Sequence, residues 1–215
     1  MAALGGLYSS TATTVVLARQ AKAGASMRIH ALAGITLATG VMYLRILAIV
    51  AVFNLPLGRA VTVPLLTLSA SALLISALQY RIRPPLSEDA ERLPVSQNPL
   101  ELGAAMMFAV LFVLTSILSS WVTRAFGIPG VYSLAAIIGV TDIDPFVLNL
   151  AQGSASGVPS AAIAGAILIA TSSNGLLKAM YAVSFAGGRA TAPSAAVLVA
   201  LALGGIAMAI HISGW

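Results

Sequence analysis

Seven stretches of about twenty residues pass with almost no charge, and this constrains the chain more than any other feature, because about twenty apolar residues suffice for a helix to cross a bilayer. They run roughly over 1–19, 29–53, 61–80, 100–121, 130–151, 160–186 and 194–213. Charged residues make up only 8% of the chain and hydrophobic ones 59%, whereas a soluble domain needs about 25% charged residues to face water. The sequence therefore predicts an all-α fold, a polytopic transmembrane bundle of about seven helices forming a single transmembrane domain over 1–215. Between Tyr80 and Glu101 the character changes, with Arg81, Arg83, Pro84, Pro85, Glu88, Asp89, Glu91 and Arg92. Two adjacent prolines prevent a helix from continuing there, so 81–99 reads as a polar loop joining halves of about 1–80 and 100–215.

The net charge of +5 does not indicate nucleic acid, because the basic residues are scattered at the ends of apolar stretches, as the positive-inside bias requires. If every segment crosses, one side receives Arg19, Lys22, Arg28, Arg81, Arg83 and Arg92, and the other Arg59, Arg124 and Arg189. Six against three predicts the first set in the cytoplasm, with the N-terminus outside and the C-terminus inside. The chain has no cysteine, so disulfides, thiolate metal sites and cysteine nucleophiles are excluded.

An internal repeat organises the chain. Aligned without gaps, residues 1–54 and 134–187 pair Ala2-Ala3 with Ala135-Ala136, Gly6 with Gly139, Leu17-Ala18 with Leu150-Ala151, Gly24 with Gly157, Leu44 with Leu177 and Arg45 with Lys178. The last pair carries the most weight, since a basic residue inside an apolar span is rare. Transporters are often built from such repeats, with their sites at the repeat interface. The second copy is preceded by the segment 100–121, and the first copy has no counterpart before it. This suggests a form shortened at its N-terminus, and four-helix units in parallel orientation.

The strongest chemical signal is Gly139-Val140-Thr141-Asp142-Ile143-Asp144-Pro145-Phe146. A charge at the centre of a span costs about 2.5–3.5 kcal/mol on insertion scales, so two acids there call for partners or a polar cavity. Pro145 disfavours helical geometry at Asp144 and suits the first turn of a helix. A half-helix is expected to begin at Pro145 with Asp144 as its cap. In the first copy, Ser9, Ser10 and Thr11 belong to a run of hydroxyls, Ser9 aligning with Asp142 and Thr11 with Asp144. Asn174 and Lys178, four apart, share a helical face, and Arg45 takes the place of Lys178 in the first copy. Asp142 and Asp144 against Arg45 and Lys178 sum to zero charge, as an internal ion-pair network or a cation- or proton-exchanging site would. The bland alternatives are that these charges fix helix register, that Arg45 and Lys178 snorkel outward, and that the hydroxyls are packing glue. Gly204, Gly205, Ala161 and Gly165 read as close helix packing, and His211 as an interfacial residue.

No His or Cys cluster has metal-ligand spacing and no phosphate-cradling loop is present. The two embedded acids lie on one segment, which does not suit an intramembrane aspartyl protease. No enzymatic activity and no cofactor are expected. Three runs, Gly6 to Arg19, Gly139 to Ala151 and Asn174-Gly175-Leu176-Leu177-Lys178, resemble the multi-helix membrane domain that follows MgtC/SapB-type domains in bacterial proteins. That resemblance implies a bacterial inner-membrane protein, a link to magnesium by association, and an MgtC-like domain or a second copy as partner. Pro145 departs from the small residue expected there.

The leading expectation is a transporter or channel for a small ion. A cation is favoured, with Asp142 and Asp144 as metal ligands or proton carriers and Thr141, Ser9, Ser10 and Thr11 adding neutral oxygens. Within transport the alternative is an anionic solute drawn to half-helix N-termini and to Lys178 or Arg45. Outside transport it is a membrane subunit that regulates or anchors a partner. Lipid is the expected surrounding in each case, and nucleic acid in none.

Overall fold

The computed structural model describes residues 13–19, 21, 25–81, 102–186 and 192–214. Within them the chain is helical: α1 (13–19), α2 (Ala25–Phe53), α3 (Leu55–Arg81), α4 (Leu102–Ile138), α5 (Ile143–Ala151), α6 (Ser160–Ala186) and α7 (Ala192–Ser213). Five of these helices, α2, α3, α4, α6 and α7, are long and apolar enough to cross a membrane. Of the expected loop 81–99, Arg81 ends α3 and the rest lies outside the described residues.

The helix pairs α2–α3 and α6–α7 are tight antiparallel hairpins. Ser69 and Ser76 of α3 donate to the carbonyls of Gly40 and Ala33, both at 2.9 Å. A Cβ on Gly58 would meet Ala51. In the second pair, a Cβ on Gly205 would run into Ser172 Oγ, and one on Gly165 into Ser213 and Tyr132. Close backbone approach through small residues is how helices associate where lipid offers no hydrophobic driving force, and it bears out the packing role expected for Gly165 and Gly205. Asn54 separates α2 from α3 and caps the second, its Oδ1 accepting from Leu57 N at 3.1 Å.

The 37-residue α4 is two limbs joined at Gly127, whose φ of 60° and ψ of −142° interrupt the helix. A positive φ is tolerated by glycine and strained for other residues, and Pro129 just beyond is suited to opening the second limb. The first limb, 102–126, is peripheral, with Met106, Val110, Val113, Ile117 and Trp121 more than half exposed.

The second limb corrects the sequence reading of 130–151 as a crossing. Tyr132 lies against Gly165, Ser173 Oγ donates to Ala136 O at 2.6 Å and Asn174 Nδ2 to Gly139 O at 3.0 Å, so residues 128–138 run parallel to α6. The backbone then turns over 139–142. Next, α5 runs parallel to α2, with Asp144 on Arg45 and Ala151 O on Asn54 Nδ2. Two limbs of about 16 and 13 Å enter and return on the same side. Their tip meets Asn174, midway along the 27-residue α6.

This re-entrant hairpin leaves two crossings between α2 and α6, α3 and the first limb of α4, where the sequence reading had three, so α2 and α6 run in opposite directions and the two repeat copies are inverted. Ala31, Leu32 and Ile35 near the start of α2 cluster with Ala179 and Ala182 near the end of α6. The parallel arrangement expected from the sequence assumed that every apolar segment spans. Arg189, between α6 and α7, moves to the other group of basic residues. Arg19, Lys22, Arg28, Arg81, Arg83, Arg92 and Arg189 now stand against Arg59 and Arg124. The positive-inside bias sharpens to seven against two, and the C-terminal end of α7 falls on the side opposite to that expected. An export-dependent reporter joined after α7 is expected to be active, and the same reporter inserted within 82–101 inactive. Equal behaviour at both positions would mean that 130–151 crosses after all.

Candidate functional site

At the hairpin tip the chain leaves helical geometry in the middle of the bundle, where each unmet backbone group costs several kcal/mol if it faces hydrocarbon. Six of the seven carbonyls of 135–141 are met within the protein. Ala135, Ile137 and Ile138 accept from the amides of Gly139, Val140 and Thr141 at 2.8–3.1 Å. Ala136 accepts from Ser173, and Gly139 and Thr141 from Asn174 Nδ2 at 3.0 and 3.5 Å. Thr141 Oγ1 donates back to Ile138 O at 2.9 Å. Gly139 is required by proximity, because a Cβ there would strike Ser173 and the Ala170 carbonyl.

The next helix opens two residues earlier than its sequence suggests. Asp142, not Asp144, is the N-cap of α5, with extended φ and ψ of −94° and 116° and an Oδ1 that accepts from Asp144 N at 3.3 Å. The helix begins at Ile143, so Pro145 lies inside the first turn, where its missing N–H has no intrahelical partner to lose. Asp144 is thereby released from capping and turns toward α2. Its Oδ2 lies 2.7 Å from Arg45 Nη2, both side chains 18% exposed, while its Oδ1 is buried without a hydrogen-bond partner.

Lys178 points into the bundle instead of snorkelling, is 0% exposed and has Nζ 2.9 Å from Met42 Sδ on α2. The inverted repeat thus brings Arg45 and Lys178, equivalent positions in the two copies, to the same level. Asn174, 2% exposed, binds the tip through Nδ2, which leaves its Oδ1 buried and unpartnered. Thr141 and Asp142 are exposed at the half-way depth. Ser9, Ser10 and Thr11 lie outside the described residues, and His211 is exposed in the last turn of α7.

Several residues that position the site escaped the sequence reading. Asn149 is 2% exposed and ties α5 to α4, Nδ2 donating to Thr115 Oγ1 at 2.6 Å and to Phe112 O at 2.8 Å. Asn54 holds the other end of α5 through Ala151 O at 3.2 Å. Both were legible as amides set in apolar runs. Met42 carried no such signal.

These features define a helical membrane protein of inverted repeats, in which a re-entrant hairpin carries Asp144 to the half-buried Arg45, at the level of the buried Lys178. The chain belongs to the DUF4010 family, a domain of unknown function, whose pattern matches residues 1–186. An uncharacterized protein of Aquifex aeolicus (strain VF5) is 28% identical over 156 residues, which cover 73% of this chain and 67% of that protein. No solved structure matches.

The two acids are expected to separate in stability. Asp144→Ala leaves the half-buried Arg45 without its carboxylate and is expected to cost about 1.5–3 kcal/mol. Asp142→Ala removes a cap and costs about 1 kcal/mol. Pairing Arg45→Met with Asp144→Leu is expected to restore much of the loss. Thermal unfolding in detergent, followed by circular dichroism, checks all three. Equal melting of Asp144→Ala and wild type would mean that the ion pair contributes nothing.

Proposed function

We propose that this chain is the membrane domain of a transporter or channel for a small ion, a cation first of all, which binds at the tip of the re-entrant hairpin. The observation that carries the reading is the exposed Asp142 half-way along the bundle, beside an Asp144 whose Oδ1 is buried and unpartnered. A carboxylate at that depth is supported by water or an ion, not by lipid. The limb 128–138 aims the negative end of its dipole at the same place, and oxygens from Asp142, Asp144, Thr141 and Asn174 are the donor type that hard cations prefer. Arg45 and Lys178 balance the acids when the cation is absent.

Inverted repeats with broken helices support transport in particular, since rocking one copy against the other opens a central site to each side in turn. The resemblance to domains that follow MgtC/SapB-type domains adds magnesium as one ion to try. It also adds the bacterial inner membrane as location, and an MgtC-like domain or a second copy as partner. The direct Arg45–Asp144 pair favours a second reading, in which the charges lock α2 to α5 in a subunit that regulates or anchors a partner.

The full chain in liposomes separates these readings. Screened against sodium, potassium, magnesium and protons, it is expected to pass at least one cation, and Asp144→Asn to abolish that flux while the protein keeps its elution profile. Flux equal to that of empty liposomes for every ion would leave the subunit reading.

A further inference from the structure

The two cations at the centre occupy equivalent places in the repeat but differ in chemistry. A guanidinium keeps its proton under any condition a protein meets, whereas a lysine ammonium releases its proton readily when buried. Arg45 is the one that holds Asp144, at 2.7 Å. Lys178, 0% exposed, has Met42 Sδ as a neighbour. Arg45 on α2 repels Lys178, and Asp144 on α5 attracts it. Asp142 caps α5 at the exposed tip, and Tyr43, the residue after Lys178's neighbour Met42 in α2, is buried. The remaining titratable groups on elements around α6 lie toward helix ends: Arg19 of α1, His30 of α2, Arg59, Tyr80 and Arg81 of α3, Arg124 and Tyr132 of α4, and His211 of α7.

Asp142, Asp144, Arg45 and Lys178 sum to zero. A cation arriving at the unpartnered Oδ1 of Asp144 adds one positive charge to a site where uncompensated charge is costly. Of the two resident cations only Lys178 can surrender its own. We propose that the site exchanges one monovalent cation for one proton, the cation held by Asp144 at the hairpin tip and the proton carried by Lys178. The inference rests on the transport reading above and narrows it, because a single releasable charge balances a monovalent ion and not a divalent one.

The cycle balances. As the cation reaches Asp144 from one side, an Nζ–H bond of Lys178 breaks. The proton leaves to water on that side and the electron pair stays on the neutral amine. When the site has turned to the other side, the cation departs and a proton from that side re-forms the Nζ–H bond. One positive charge travels each way and no net charge moves.

The test uses the full chain in liposomes loaded with pyranine, under an imposed sodium gradient and, separately, a potassium gradient. At least one gradient is expected to drive an opposite proton movement that an imposed membrane potential leaves unchanged. Lys178→Arg is expected to lose both the cation flux and the proton movement. Lys178→Gln is expected to pass the cation without protons, and its flux to follow the membrane potential. Elution profiles exclude misfolding, and if the arginine variant misfolds the glutamine variant decides. Proton-coupled exchange that survives either substitution overturns the proposal. So does a wild-type flux that needs Asp144 but moves no protons, which leaves transport standing and removes Lys178 from it. A wild type without any flux removes both.

Discussion

A chain that interrupts a helix in the middle of an apolar bundle must find a partner for each backbone group it exposes, and the rest of this structure is arranged around that requirement. The tip at 139–142 exists because α6 brings Ser173 and Asn174 alongside it and because Gly139 lets the backbones touch. The amide of Asn174 is committed to carbonyls of the tip, which fixes which of its atoms is left over. Asp142 serves the outgoing helix in the same way. Once capping falls to Asp142, Asp144 is free to meet Arg45, and the ion pair follows from the backbone accounting.

The hairpin also decides the symmetry of the molecule. A segment that turns back adds no crossing, so the second copy enters the bundle upside down relative to the first. Equivalent residues near the ends are then carried to opposite faces, whereas those near the middle stay at one level. Arg45 and Lys178 are such a middle pair. Two like charges in an apolar interior would repel without relief, and the carboxylate of Asp144 beside them reduces that cost. Its anchoring at both ends of α5, by Arg45 and by Asn54, explains why so short a helix is held firmly in place.

Helical class, most span positions, the repeat and the break near Pro145 could be read from the sequence, because each rests on local chemistry: apolar runs, a rare basic residue in register, and acids beside a proline. Depth and direction could not. A hairpin of two half-length limbs and a single spanning helix have the same composition, and what distinguishes them is the pairing of 128–138 with α6 and of α5 with α2. The identity of the cap was lost for a related reason. Asp142 and Asp144 both suit an N-cap, and the choice is set by where the tip ends against Ser173 and Asn174 of another helix. Asn54 and Asn149 could have been singled out as amides in apolar surroundings, and what they hold depends on packing alone.

The inverted repeat has a further consequence for how such a chain came to sit one way round. Two repeat copies inserted in opposite senses cannot both carry the same anchoring charges. Arg19, Lys22 and Arg28 of the first copy correspond to Gln152, Ala155 and Ala161 in the second, so the later half lacks these three anchoring charges. The central position needs no such difference, since a residue at mid-depth reports nothing about up or down. Arg45 and Lys178 are thus the place where both halves carry a positive charge, and where the symmetry of two identical cations at one level is broken by chemistry alone.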